Sequence, residues 1–259
     1  MTRLSASVRA ALLAALLPGT IAAQGHTHPP GGGLGTVHFA TSCRPAVAPG
    51  FDRAVALLHS FEFGAAIHAF ESVLAADSTC AMAHWGVALA RWTNPTSLSN
   101  RAPSLLAAGR SAADAAARLA AGATERERGY IAAVSTLYAD YEHSSQPTRV
   151  AAYERAMASL VASQPQDSEA KIFHAIALVA ASPPTDKTYA RQRQAGAILE
   201  SLWAAQPDHP GLAHYIIHAY DVPTLAPLSA AAARRYAGIA PEAAHALHMP
   251  SHTFTRLGM

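Results

Sequence analysis

Phe63-Gly64-Ala65-Ala66-Ile67-His68-Ala69-Phe70-Glu71-Ser72-Val73-Leu74-Ala75-Ala76-Asp77-Ser78, followed closely by Ala81-Met82-Ala83-His84-Trp85-Gly86-Val87-Ala88, decides the fold class. Ile67, Phe70, Val73 and Leu74 keep helical spacing, Asp77-Ser78 breaks the run, and a second apolar helix pattern starts at once. Upstream, Phe51, Val55, Leu58 and Phe61 repeat the same spacing. Downstream, breaks fall at 93–103, Gly122, 143–147, Pro165, Pro183-Pro184, Pro207, Pro223 and Pro241. The intervening segments run roughly 11–18 residues and predict about eleven helices, antiparallel where the connections are short. Composition agrees: 62 of the 259 residues are alanine, the leading helix former, 51% are hydrophobic and 14% are charged. That excludes a disordered chain, and no alternating strand pattern or Gly-rich nucleotide loop is present. The class is all-α.

The quoted stretch resembles the tetratricopeptide repeat. Ala66, Phe70 and Val73 match the small, aromatic and small positions of that repeat's second helix; Ser78 takes the terminating proline slot, and Val87 and Ala88 match the next first helix. Later units fit more loosely: Tyr153, Met157 and Leu160 precede Pro165, and Ala195, Leu199 and Leu202 precede Pro207. Pro241 stands one family period beyond Pro207, whereas the successive steps from Ser78 to Gly122, Pro165 and Pro207 are all longer than that period. Within this class, 82–86, 209–221 and 248–254 look like a group of exported bacterial repeat proteins. The resemblance implies a right-handed helical-repeat solenoid over 45–259, with a concave groove that binds a protein or peptide. It places Met82, Trp85, Leu89, Trp92 and His245 on that groove. A solenoid needs a polar terminal cap, and a single helix over 242–257 is none, so the sequence reads as part of a longer chain.

Positions 1–23 read as a secretory signal peptide: Arg3 and Arg9, an apolar run over 10–17, a Pro18-Gly19 break and a small-residue exit. The run is too short to span a membrane. Residues 24–44, with His26, His28 and Gly31-Gly32-Gly33, have the composition of a flexible linker. The formal charge of +2 loses two arginines with the signal, so 17 basic residues face 17 acidic ones. No nucleic-acid surface follows from that balance. A periplasmic or secreted location makes a disulfide between Cys43 and Cys80 the expected state, with two buried thiols as the alternative.

Fourteen histidines stand against two lysines, and six of them fall within 209–252. His214 and His218 are four apart, as are His248 and His252, and the second pair follows the first by one tetratricopeptide period. Each pair shares a helix face, and helices one repeat apart stack side by side at about 8–10 Å. Together with Asp221 they form a candidate site for zinc or copper, ions that imidazole binds well. Ordinary hydrogen bonding to neighbouring backbone or carboxylates is the first reading of such pairs, metal binding the second, and recognition of an acidic or peptide ligand the third. Pro250, between the second pair, is expected to kink its helix. His84 and His174 read as core, His68 and His143 as solvent-facing, and His59 as groove edge or surface. Glu125-Arg126-Glu127-Arg128 reads as a solvated face at a helix start. Asp221 and Glu242 are loose carboxylates near the site. No hydrolase motif or cysteine knuckle appears. The first functional expectation is an exported scaffold that binds a protein or peptide; the alternatives are a histidine-rich metal-binding protein or metal-dependent hydrolase, and a structural envelope protein.

Overall fold

The computed structural model describes residues 33–259. The expected signal peptide at 1–23 and residues 24–32, with His26 and His28, lie outside that range. Among the described residues there is no strand. Helices α1 (Ala48–His59), α2 (Phe63–Ala76), α3 (Ala81–Trp92), α4 (Pro103–Leu119), α5 (Glu125–Thr136) and α6 (Gln146–Ser163) form the first half. The second half holds α7 (Ser168–Ala180), α8 (Ala190–Trp203), α9 (Pro210–Ala219), α10 (Ala230–Ile239), α11 (Ala244–His248) and α12 (Pro250–Arg256). Their starts follow local chemistry. Thr124 and Glu127 form a capping box on α5, Ser145 and Asp167 accept backbone N–H groups at α6 and α7, and proline opens α4, α9 and α12.

Consecutive helices pack as neighbours; α1, α3 and α5 also pack in series, as do α7 and α9, and these make an inner layer. α1 touches both α3 and α9, so the inner layer curls until its ends meet. Its interior is filled by aromatic side chains: Phe51, Trp85, Tyr130, Phe173 and Tyr215 are all buried. No helix among the described residues is long and apolar enough to cross a membrane.

Residues 33–44 of the expected linker are ordered. Leu34, Val37 and Phe39 are buried, and the Phe39 ring lies 5.1–5.5 Å from those of Phe51, Trp85 and Tyr130. This strap runs along the edge formed by the inner helices' N-termini. Glu242 N donates to Gly33 O (2.8 Å), Thr36 N to Asp208 O (3.0 Å), Ser42 N to Glu127 (2.7 Å) and Arg44 N to Asp77 (2.8 Å). Gly35 has φ of +80°, and a Cβ there would stand 2.6 Å from the Asp208 carbonyl, so only glycine fits. Linker composition concealed a segment whose few apolar residues all find the core.

Cys43 and Cys80 are disulfide-bonded, with Cα atoms 4.8 Å apart, which pins the strap to the start of α3. The charge run at α5 is solvated at Glu125 and Arg128 but not at the two residues between them. Glu127 is buried and holds Thr124 and Ser42; Arg126 pairs with Asp167, donates to the Ala40 carbonyl and lies over Phe39. Met82 and Trp85 are enclosed by this packing and offer no surface to a groove ligand. Leu89 and Trp92 line a small apolar cavity of about 30 Å³ with Phe61 and Tyr153.

Candidate metal centre

Two helices build the site. α9 carries His214 and His218 one turn apart, and α11 brings His245 against them. The three rings close on a common point: the centroids of His218 and His245 each lie 4.8 Å from that of His214, and one ligand nitrogen of each ring falls within 4.8 Å of the others. Phe61 forms the floor, with its ring 4.4 Å from His214, 5.3 Å from His218 and 5.2 Å from His245. Tyr236 stacks on the other side of His214. Phe61 itself has φ of +56°, unusual for a bulky side chain, in the turn between α1 and α2.

The hydrogen bonding fixes the chemistry of these rings. His214 Nδ1 lies 2.6 Å from the His59 carbonyl, which only accepts, so Nδ1 carries the proton and Nε2 of the neutral ring holds a bare lone pair. The Nε2 atoms of His214, His218 and His245 are all buried, and none has a hydrogen-bond partner. Protonation would relieve nothing. Burial first, then the neighbouring imidazoles His218 and His245, hold His214 well below its ordinary value. His218 is pushed down to about 3 by burial and by His245, and His245 to about 4 by burial and His248. All three are neutral at neutral pH. Three neutral imidazoles whose Nε2 atoms are buried together without partners, one of them with its lone pair turned inward by the carbonyl behind it, are ligands of the kind that zinc and copper bind. At 2.0–2.1 Å bonds, tetrahedral ligands sit about 3.3 Å apart, so small ring rotations bring these nitrogens onto one ion.

The other sequence-derived candidates stand at the rim. His248 Nε2 is 3.0 Å from His252 Nε2, and His252 Nδ1 is 3.0 Å from Asp221, whose second oxygen takes Arg256. Met249 keeps helical dihedrals before Pro250, and buried Thr253 bonds Ser229, so the proline interrupts a hydrogen bond without turning His252 away. The structure brings His214, His218, His248 and His252 close together, with neighbouring ring centroids 4.8–6.5 Å apart. The sequence reading put His245 on a ligand groove, whereas the structure makes it the third member of the trio, with His248 and His252 a separate pair. Glu242 is elsewhere, bonded to the strap at Gly33.

A second histidine group escaped the sequence reading. His59, expected at a groove edge or surface, is fully buried at the end of α1. Its Nε2 lies 2.9 Å from Glu169, and its Nδ1 lies 3.1 Å from the Tyr215 hydroxyl; His209 Nε2 is 2.9 Å from the other Glu169 oxygen. Burial opposes ionisation of Glu169, but His209 and His59 override it and hold its carboxyl well below the usual range. His59 is lowered by burial, against the pull of Glu169. His59 therefore donates to the carboxylate and accepts from the phenol, with no lone pair to spare. His209 Nδ1 is the one nitrogen of this group left without a partner. Gly211 makes the arrangement possible, because a Cβ there would stand 2.6 Å from His59 Nδ1. The clamp fixes α1 against α7 and α9, and so fixes the His59 carbonyl that orients His214. His174 is buried on Glu154 (3.2 Å), as expected of a core histidine.

No protein-family model matches this chain, and no curated protein sequence matches it either.

Proposed function

We propose that this chain is an exported, periplasmic or secreted, transition-metal-binding protein built on tetratricopeptide-like helix pairs, and that His214, His218 and His245 hold a zinc or copper ion. The observation that carries this is the convergence of three buried, partnerless Nε2 atoms. A buried polar group without a partner costs about 1–3 kcal/mol, and three aimed at one point are a cost that a bound ion removes. The intact Cys43–Cys80 disulfide supports an oxidising compartment. His218 and His245 are only half-buried, so a fourth position faces the rim and stays open to water or a ligand. The groove-scaffold reading draws less support, since the chain's own strap and aromatic core occupy the inner face.

The test is metal analysis of full-length protein made without a histidine tag. Zinc or copper should be retained after dialysis, and the H218A variant should lose it. Absence of retained metal together with an unchanged melting temperature on adding zinc or copper would overturn the reading.

A further inference from the structure

The rim pair is poised differently from the trio, and its geometry has its own consequence. Beside a carboxylate, His252 Nδ1 must be the protonated nitrogen, which leaves a lone pair on Nε2. That lone pair faces His248 Nε2 at 3.0 Å, and the rings meet edge to face with centroids 5.0 Å apart. In one tautomer His248 donates to it. In the other, two lone pairs point at the same space. Their separation is close to the bite of about 3.3 Å that two imidazoles adopt on a tetrahedral zinc. Asp221, itself held by Arg256, stands behind His252 as carboxylates stand behind ligating histidines, fixing the tautomer and raising the basicity of the far nitrogen.

The pair also sits at the mouth of the inner trio. The His252 ring is 6.5 Å from that of His218, and the His248 ring is 5.9 Å from that of His245. The four rings therefore close a circuit, with His218 and His245 on its half-buried side and His248 exposed on the other. We propose that His248 and His252, with Asp221 as the supporting carboxylate, bind a second transition-metal ion adjacent to the first, making the centre a two-ion site. The inference rests on the tris-histidine reading for the first ion only; the second has its own ligands. With two protein ligands and the rest water, the rim ion is the weaker and more exchangeable of the two, and it occupies the route by which the inner ion enters.

Zinc titration of the tag-free full chain, followed by calorimetry and by metal analysis at equilibrium, tests this. Wild type should take up two ions per chain in separable steps. H248A/H252A should keep the tight step and lose the weak one. D221N, which keeps both rings, should weaken the weak step about 10–100-fold and leave the tight step unchanged. With copper, the doubly loaded wild type should show magnetic coupling between neighbouring ions that H248A/H252A lacks. A wild type that takes one ion, retained by H248A/H252A, overturns the second site and leaves the first standing. One ion lost in both H214A/H218A and H248A/H252A means a single shared site and also overturns the proposal. No uptake by wild type defeats the metal reading itself.

Discussion

The two buried histidine groups use the same kinds of side chain to opposite ends. In the clamp, one carboxylate accepts from both His59 and His209, and His59 spends its remaining nitrogen on Tyr215. A single nitrogen, on His209, is left over there. In the trio no carboxylate is present, and three nitrogens are left empty. Both groups are desolvated, so the difference lies in satisfaction rather than burial. A satisfied polar network specifies packing, and the unpartnered nitrogens of the trio are what support the metal reading proposed above. The two are coupled through one residue, because the His59 ring belongs to the clamp and its carbonyl braces the trio.

The largest predicted effect comes from breaking the clamp. Glu169→Ala strands two buried imidazoles, and removal of one partner from a buried pair costs about 3–5 kcal/mol. His218→Ala in metal-free protein removes a group that had no partner, so only its packing is lost and the cost is clearly smaller. Urea denaturation of both variants without metal should show this order; equal losses would erase the distinction between the groups. Zinc then reverses the ranking. At a free zinc concentration 100-fold above Kd, wild type should gain about 2.7 kcal/mol. E169Q, which keeps the shape of the clamp, should retain most of that gain, and His218→Ala should show none. A zinc gain that survives in His218→Ala but vanishes in E169Q would place the ion in the clamp instead.

How much of this was legible in the sequence depended on range. The helix breaks, the all-α class and the disulfide partners are local or forced by count. The neighbourhood of His214, His218, His248 and His252 followed from an i, i+4 spacing that recurs one repeat period further along the chain. The clamp had no such signal: His59 and Glu169 are 110 residues apart, and only the curl that brings α1 onto α7 and α9 joins them. The strap failed for a related reason. The glycines and prolines over 29–35 gave the region the composition of a linker, while Leu34, Val37 and Phe39 are too few to register as a pattern before their contacts exist. Arg126 and Glu127 looked solvated because a charge run carries no mark of the strap that covers it.

Acid should separate the groups next. His214, His218 and His245 have folded pKa values below the ordinary 6.5, so the unfolded chain binds more protons and stability rises with pH. Their contribution is complete above about pH 6.5 and is lost as pH falls from there toward about 4 and then about 3, the folded values of His245 and His218. Between pH 7 and 6 the three together account for about 2 kcal/mol of lost stability. Glu169 acts in the same direction but later, since its carboxylate contribution falls away only below about pH 4.3. Urea midpoints of metal-free wild type should therefore drop from pH 7 to 6, and a His214→Gln/His218→Gln/His245→Gln variant should flatten that first step. A wild type indifferent to pH over this unit would mean that the trio is not desolvated as described.

The smallest expected effect supplies the control for all of these. His68 and His143 are exposed, each beside a carboxylate on its own turn: His68 with Glu71 at 3.5 Å and His143 with Asp140 at 2.7 Å. They have the same ring and the same kind of partner as His59, but water on every other side. An exposed ion pair is screened and gains little over two solvated groups. Asp140 raises the His143 value, first by hydrogen bonding and then by its charge, the opposite of what burial does to the trio. His68→Ala and His143→Ala should leave the urea midpoint at pH 7 and the tight zinc step at their wild-type values. If either substitution altered the tight step, zinc uptake would be a property of exposed imidazole in general, and the contrast between filled and empty histidine groups would lose its meaning.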